Sequence, residues 1–211
     1  MSGIRHELRG LYAITDSQLQ SQQQLVERVE AAIDGGAVLI QYRDKNSRPT
    51  VRRQQGEALA ALCTARGVPL IINDDVQLAA ACGAHGVHLG KDDCDLQTAR
   101  SRLGRQAIIG VSCYNDWSRA LRAVAAGADY IAFGRFFPSH TKPQAVTAET
   151  DLLLRAQKTF ELPITAIGGI TPDNGSQLIA AGADLLAVIQ GVFAQPDTRR
   201  AAQAYTRLFK S

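Results

Sequence analysis

Short apolar runs alternate along this chain with longer stretches whose apolar positions recur every third or fourth residue. Val38-Leu39-Ile40 and Leu70-Ile71-Ile72 have no polar alternate, the pattern of strands covered on both faces. Leu25, Val29, Ala32 and Ile33 fall instead on one face of a helix over 24–34. Extended along the chain, this reading predicts eight strands, at 11–15, 38–43, 70–73, 86–89, 107–112, 130–134, 164–168 and 185–189. Helices are expected over 24–34, 51–66, 76–82, 96–103, 118–126, 151–160, 174–181 and 198–209. A motif recurs at the joins. Ala31-Ala32-Ile33-Asp34-Gly35-Gly36-Ala37, Ala80-Ala81-Cys82-Gly83-Ala84, Ala125-Ala126-Gly127-Ala128-Asp129 and Ala180-Ala181-Gly182-Ala183-Asp184 each read as an alanine-rich helix end, a glycine stop and a strand start. Repetition of the join says that the architecture repeats.

Strict alternation of strand and helix implies a parallel sheet with right-handed crossovers. Eight such units in 211 residues fit a single-domain (β/α)8 TIM barrel spanning 1–211, since that fold is usually ~250 residues long with a floor near ~200. A doubly wound open sheet would place a glycine-rich turn after the first strand, and Ile14-Thr15-Asp16-Ser17 is no such turn. Composition agrees with one globular domain, at 45% hydrophobic and 20% charged residues. The net charge of +3 comes from scattered Lys and Arg rather than from a basic stripe interleaved with aromatics. That disfavours nucleic acid as a partner and suits a small anionic substrate. No apolar stretch approaches the ~20 residues of a membrane span, and the polar start of the chain has no signal-peptide core. Cys63, Cys82, Cys94 and Cys113 form no Cys-x-x-Cys pair. Reduced thiols and a cytoplasmic setting are therefore expected. The reading leaves room for a homodimer.

Charge gathers where apolar strands end. The second strand runs into Gln41-Tyr42-Arg43-Asp44-Lys45, and the third into Asn73-Asp74-Asp75. Catalytic residues of this fold lie at the C-terminal ends of the strands. Gln41, Arg43 and Lys45, spaced by two, point to one side while the chain stays extended. Two cations and an amide there read as a clamp for phosphate or diphosphate, against the plainer reading of a solvated strand end with Arg43 paired to Asp44. One of Asn73, Asp74 and Asp75 is expected to cap the following helix. Asp93 follows Asp74 by one β/α unit. Neighbouring strand ends stand ~5 Å apart, so the two carboxylates could share Mg²⁺, which takes one or two carboxylates and completes its shell with phosphate oxygens and water. The fifth strand ends at Ser112. The sixth leads to Ser139-His140-Thr141-Lys142, two hydroxyls and a cation between prolines, which reads as an anion loop with His140 within reach of a substrate. Gly168-Gly169 and Ile189-Gln190 end the last two strands, where this fold commonly cradles phosphate. His88 reads as a packed mid-strand side chain, and no Ser-His-Asp order supports nucleophilic catalysis.

Taken together, Leu11-Tyr12-Ala13-Ile14-Thr15, Gln41-Tyr42-Arg43-Asp44-Lys45, Asn73-Asp74-Asp75, His88-Leu89-Gly90, Asp93, Gly110-Val111-Ser112, Ser139-His140-Thr141-Lys142 and Ile167-Gly168-Gly169-Ile170 resemble the thiamine-phosphate synthase family, in order from the first strand to the last. The resemblance implies a transferase joining 4-amino-2-methyl-5-(diphosphooxymethyl)pyrimidine to a thiazole phosphate. Diphosphate departs first, and the thiazole nitrogen captures the pyrimidine-methyl cation. It implies one Mg²⁺ per site on Asp74 and Asp93, with Arg43, Lys45, Ser112 and Lys142 as the catalytic set. Gln41, Tyr42, Arg43, Asp44, Lys45, Asn73, Ser112 and Lys142 would meet the pyrimidine diphosphate. Ser139, His140, Thr141, Gly169, Ile189 and Gln190 would complete the substrate site, largely around the thiazole phosphate. Three positions depart from the family pattern: Gln190 stands where Ser is common, Lys91 where Gln is common, and Ser139 where the loop usually opens with Thr. Rival readings are a sister protein that rearranges the thiazole phosphate without condensing it, another phosphate-binding barrel such as an isomerase or epimerase, and a non-catalytic binding protein. Mg²⁺-dependent diphosphate release that also needs the thiazole phosphate is expected only of the synthase.

Overall fold

The protein closes into the expected barrel. The computed structural model describes residues 8–17, 24–138 and 148–210. Its elements, in order, are β1 (Gly10–Ile14), α1 (Leu25–Asp34), β2 (Ala37–Tyr42), α2 (Pro49–Arg66), β3 (Leu70–Asn73), α3 (Val76–Cys82), β4 (Gly86–Leu89), α4 (Leu96–Leu103), β5 (Ile108–Tyr114), α5 (Trp117–Ala125), β6 (Tyr130–Gly134), α6 (Thr150–Thr159), β7 (Ile164–Ile167), α7 (Pro172–Ala180), β8 (Leu185–Val188), α8 (Gln190–Phe193) and α9 (Thr198–Arg207). Every strand pairs in parallel with its sequence neighbours, and β8 returns to β1.

Two apolar layers hold it together. Outward-facing residues such as Ile40, Ile72, Val87, Ile109 and Phe133 pack against the helices. Inward-facing Tyr12, Leu39, Ile71, Ile108, Tyr130 and Leu185 fill the barrel. Period-two alternation assigns each residue to its layer.

The repeated joins work as helix stops. Ala84, Ala128 and Ala183 each donate their N–H back to the carbonyl five residues earlier, on Ala79, Ala123 and Leu178, at 3.0, 3.0 and 2.9 Å. The acids of the motif then bind the neighbouring strand. Asp129 accepts from the Ile109 N–H at 2.7 Å and from Arg100 at 2.6 Å, and Asp184 accepts from the Ile164 N–H at 2.9 Å. At the opposite rim the first turns of helices are capped by Asp75, Asp95 and Asp116, which accept from Leu78, Thr98 and Arg119 N–H groups at 2.9, 2.8 and 3.0 Å.

Several boundaries shift by a residue or two from the pattern-based reading, and three of the shifts have a local cause. α2 and α7 begin two residues early because Pro49 and Pro172 sit in their first turns, where a missing N–H costs nothing. β5 continues past Ser112 to Tyr114 through a bulge: Ser112 pairs with Ala132 and Tyr114 with Phe133, leaving Cys113 as the extra residue. The short α8 after β8 is an addition, too brief to show a helical period in sequence.

Candidate active site

A cavity of about 540 Å³ opens at the C-terminal ends of the strands. Gln41, Arg43, Asn73, Ser112, Gly169, Ile189 and Gln190 line it, as their positions at strand ends required. The described lining residues include two arginines, Arg43 and Arg135, and no carboxylate, which makes the chamber a host for an anion.

On β2 the alternation decides which side chains take part. Gln41 is 2% exposed and donates from Nε2 to Tyr12 Oη at 2.5 Å. Arg43 follows it, with its backbone N–H on Thr15 Oγ1 at 2.9 Å. Its guanidinium lies 3.6 Å from Asp16 rather than on Asp44. Tyr42 and Asp44, expected at the substrate, face the other way. Tyr42 packs in the outer layer and donates to Gln55 Oε1 at 2.5 Å. Asp44 accepts from the N–H groups of Asn46 and Ser47 at 2.9 and 3.0 Å, closing the turn after β2. Those bonds to Ser47 and Asn46 outweigh burial and hold its carboxyl below the ordinary range. Neither residue lines the cavity. The reason is the one that put Gln41 and Arg43 inside: odd and even positions of an extended strand cannot share a face.

The run after β3 divides its labour. Asp75 caps α3 and pairs with Arg52 at 2.9 Å. Asp74 is thereby left for the rim. It adopts φ +65°, a left-handed conformation that Asp tolerates better than most residues, and donates its N–H to the His88 carbonyl at 2.9 Å. Lys45 Nζ stands 3.1 Å from Asp74 Oδ2. Asp93 Oδ2 accepts from the Gly90 N–H at 2.5 Å. The two carboxylates converge above Gly90: a β-carbon there would stand 2.9 Å from Asp93 Oδ2 and 3.9 Å from Asp74 Oδ1. Their titration registers the crowding. Burial and then the Asp74 carboxylate push Asp93 up. In Asp74, burial is outweighed by hydrogen bonding with Asp93 and by Lys45, and its carboxyl is held low. Two acids so close disfavour double ionisation unless a cation joins them. Among the described residues no cluster of three or more His, Cys, Asp or Glu could hold a metal. A pair of carboxylates at the edge of an anion chamber fits Mg²⁺, which takes its remaining ligands from phosphate and water.

Other parts of the wall were not picked out in sequence. Tyr114, aimed by the β5 bulge and held at φ +57°, lines the cavity with its hydroxyl beside Gly90. Arg119 straps two strand ends together, donating to the Ser112 carbonyl at 2.6 Å and the Gly90 carbonyl at 2.7 Å. Arg135 enters from the end of β6; its Nε is buried and, among the described residues, has no hydrogen-bond partner. The hydroxyl of Thr165, on β7, is likewise buried and unpartnered. A bulge, a strap and an orphaned donor leave no periodic trace in sequence. At Gly169, φ is +64°, and a β-carbon would fall 2.3 Å from the Pro138 carbonyl oxygen, so the backbone itself forms this wall. Ser139, His140, Thr141 and Lys142 lie outside the described residues.

Comparison with known proteins gives this rim a lineage. The family model described as thiamine monophosphate synthase matches residues 11–192. This chain belongs to the thiamine monophosphate synthase family. A thiamine-phosphate synthase from Nitrosococcus oceani is 54% identical over 204 residues, covering 97% of this chain and 94% of that one. One from Thioalkalivibrio sulfidiphilus is 49% identical over 210 residues, covering 100% of both. The solved thiamine phosphate pyrophosphorylase from Pyrococcus furiosus superposes with a TM-score of 0.88 at 32% identity, covering 97% of each chain. The family match, residues 11–192, runs from β1 into α8 and so covers all eight strands of the barrel.

Proposed function

We propose that this chain makes thiamine phosphate from a pyrimidine-methyl diphosphate and a thiazole phosphate, releasing diphosphate, with Mg²⁺ held by Asp74 and Asp93. The activity and its class, a transferase, follow from family membership and from full-length relatives at about half identity that bear that name. The observation that carries the residue-level reading is the meeting of Asp74 and Asp93 at neighbouring strand ends, with Lys45 on one of them, beside an acid-free cavity. The rearranging sister reading has no use for a diphosphate clamp and metal pair, and the named relatives are synthases.

The division of the wall suggests how two anions are kept apart. On the β2–β5 side, Arg43, Lys45, Asn73 and Ser112 would receive the diphosphate, and Gln41 the pyrimidine. Mg²⁺ bound there would neutralise charge building on the departing diphosphate. On the β6–β8 side, the thiazole phosphate would rest on the backbone at Gly169 and on the first N–H groups of α8, at Gln190 and Gly191, which have no partner within the helix. Among the described residues Arg135 is the cation that lines this wall, and its Nε, unpartnered among them, supports a phosphate contact. Ser139, Thr141 and Lys142 keep the roles that the family motif implies. The chain's own part in catalysis is then positional and electrostatic: it holds the thiazole nitrogen against the carbon losing its diphosphate and excludes water from that carbon.

No helix among the described residues is long and apolar enough to cross a membrane. The four cysteines are free, three of them buried, which suits the reducing cytoplasm as the place of action.

The test is direct. Pure protein with both substrates and Mg²⁺ is expected to form thiamine phosphate and diphosphate in equal amounts, and chelation is expected to stop it. Product formation undiminished by chelation would remove Mg²⁺ from the reading.

A further inference from the structure

Across the cavity floor five side chains from five strands form one hydrogen-bonded relay. Gln41 Nε2 on β2 donates to Tyr12 Oη on β1 at 2.5 Å. Tyr12 Oη meets Tyr130 Oη on β6 at 2.7 Å. Tyr130 Oη meets His88 Nδ1 on β4 at 2.9 Å, and His88 Nε2 meets Ser112 Oγ on β5 at 2.8 Å. The rings are locked by packing: Tyr12 stands edge-on to Tyr130 at 87°, and His88 stacks on Tyr130 at 25°.

Each phenol has one proton, and the direction of the chain follows from giving each buried proton an acceptor. Tyr12 accepts from the amide of Gln41, and the acceptor left for its own proton among the described residues is Tyr130 Oη. Tyr130 then accepts from Tyr12 and donates to His88 Nδ1. The proton of the neutral imidazole is therefore on Nε2, and it is donated to Ser112 Oγ. With that lone pair taken, the Ser112 hydroxyl proton is directed elsewhere, and Ser112 lines the cavity. Burial raises the titration of both phenols far above neutrality, so both stay O–H donors at working pH. Reversing the relay would either turn the Gln41 amide over or leave the buried Tyr12 proton without an acceptor, and it would convert Ser112 from a donor into an acceptor toward the cavity.

We propose that this relay is a positioning device, in which the Gln41 amide acts through Tyr12, Tyr130 and His88 to aim the Ser112 hydroxyl as a donor at an anionic ligand oxygen. The proposal rests on the reading of Ser112 as a diphosphate contact. Both ends of the relay open on the cavity, so a pyrimidine seated against Gln41 holds the amide, and with it the donor offered to the diphosphate. Tyr12, Tyr130 and His88 are positioning residues, because each acts through Ser112.

The first test needs no substrate. Nitrogen-15 NMR of histidine-labelled protein, with the His88 signals assigned by their loss in His88→Asn, is expected to show Nε2 protonated and Nδ1 as acceptor. A proton on Nδ1 would overturn the relay's direction. The second test is a kinetic cycle. Ser112→Ala and Tyr130→Phe are each expected to slow turnover about tenfold, with KM for the thiazole phosphate changed less than about twofold. The double variant is expected to be no slower than Ser112→Ala alone. Tyr12→Phe breaks the same chain one link further away and replaces Tyr130→Phe where that variant fails to fold. Losses that multiply would mean that the tyrosines serve packing, and the relay would fall while the site reading stood. A Ser112→Ala variant of full activity would sink the diphosphate role of Ser112 and the relay's use with it, even with the Nε2 tautomer in place.

Discussion

The two rims of the barrel use the same residue type for opposite ends. At the N-terminal rim, Asp129 and Asp184 stand at strand starts and accept hydrogen bonds from the backbone of the preceding strand, with Arg100 as a further partner of Asp129. At the C-terminal rim, Asp74 and Asp93 face each other, one held low and the other pushed up. An acid that accepts from the backbone of a neighbouring strand ties two strands together. An acid crowded by another acid costs stability and is retained for something that arrives later. The comparison also explains why the functional rim needs the bulge in β5, the strap of Arg119 and a left-handed Asp74, whereas the lower rim needs only a repeated join.

Substitutions at the two rims should therefore break different things. The largest effect expected is on turnover: Asp74→Ala or Asp93→Ala lowers kcat by ~100-fold or more while the melting temperature holds. Steady-state kinetics beside thermal unfolding separates the two, and near-normal rates in both variants would end the metal assignment. Next comes Asp129→Ala, which takes the carboxylate from Arg100, leaving it the Ala107 and Gly127 carbonyls, and removes the side-chain acceptor of the Ile109 N–H. It is expected to cost about 3 kcal/mol, or roughly 6–12 °C in melting temperature, with activity per folded molecule unchanged. An unchanged melting temperature would show that this rim is not stitched by its acids. Arg135→Gln removes a cation on the β6 side and should raise KM for the thiazole phosphate about tenfold with little change for the pyrimidine diphosphate. A shift confined to the diphosphate would place Arg135 at the other substrate. The smallest effect sharpens the comparison most. Asp93→Asn keeps an acceptor for the Gly90 N–H and removes a like charge, so the metal-free protein should melt roughly 2–4 °C higher at neutral pH. The sign follows from the raised carboxyl. Its ionised form is the disfavoured one in the folded state, so the gain is present above the folded titration and disappears as pH falls below the unfolded one. A lower melting temperature at neutral pH would show that the pair is not strained.

Much of the site was legible because its chemistry interrupts a pattern. Arg43 and Lys45 break a run that should be apolar, and the step of two from Gln41 places Gln41 and Arg43 in the cavity wall, whereas Lys45, past the end of the strand, lies on Asp74 outside that wall. The same rule, applied strictly, excludes Tyr42 and Asp44, whose side chains pack and cap on the outer side. Asn73-Asp74-Asp75 offered one acid more than capping requires, and the structure assigns the cap to Asp75. Arg135, Tyr114 and Arg119 carried no such signal. Their roles depend on a bulge, on an orphaned Nε and on two carbonyls brought together by separate strands.

By itself, the sequence determined the alternation of strand and helix, the number of units, the closure into a barrel and the rim on which charge would gather. Those are consequences of local periodicity and of helix stops, which neighbouring residues dictate. Only the tertiary structure decided which acids meet, which arginine Nε is left without a partner among the described residues, and which five polar side chains speak to one another across the barrel. Such contacts join residues far apart in the chain, through distances and directions that exist only once eight strands have closed on a common axis.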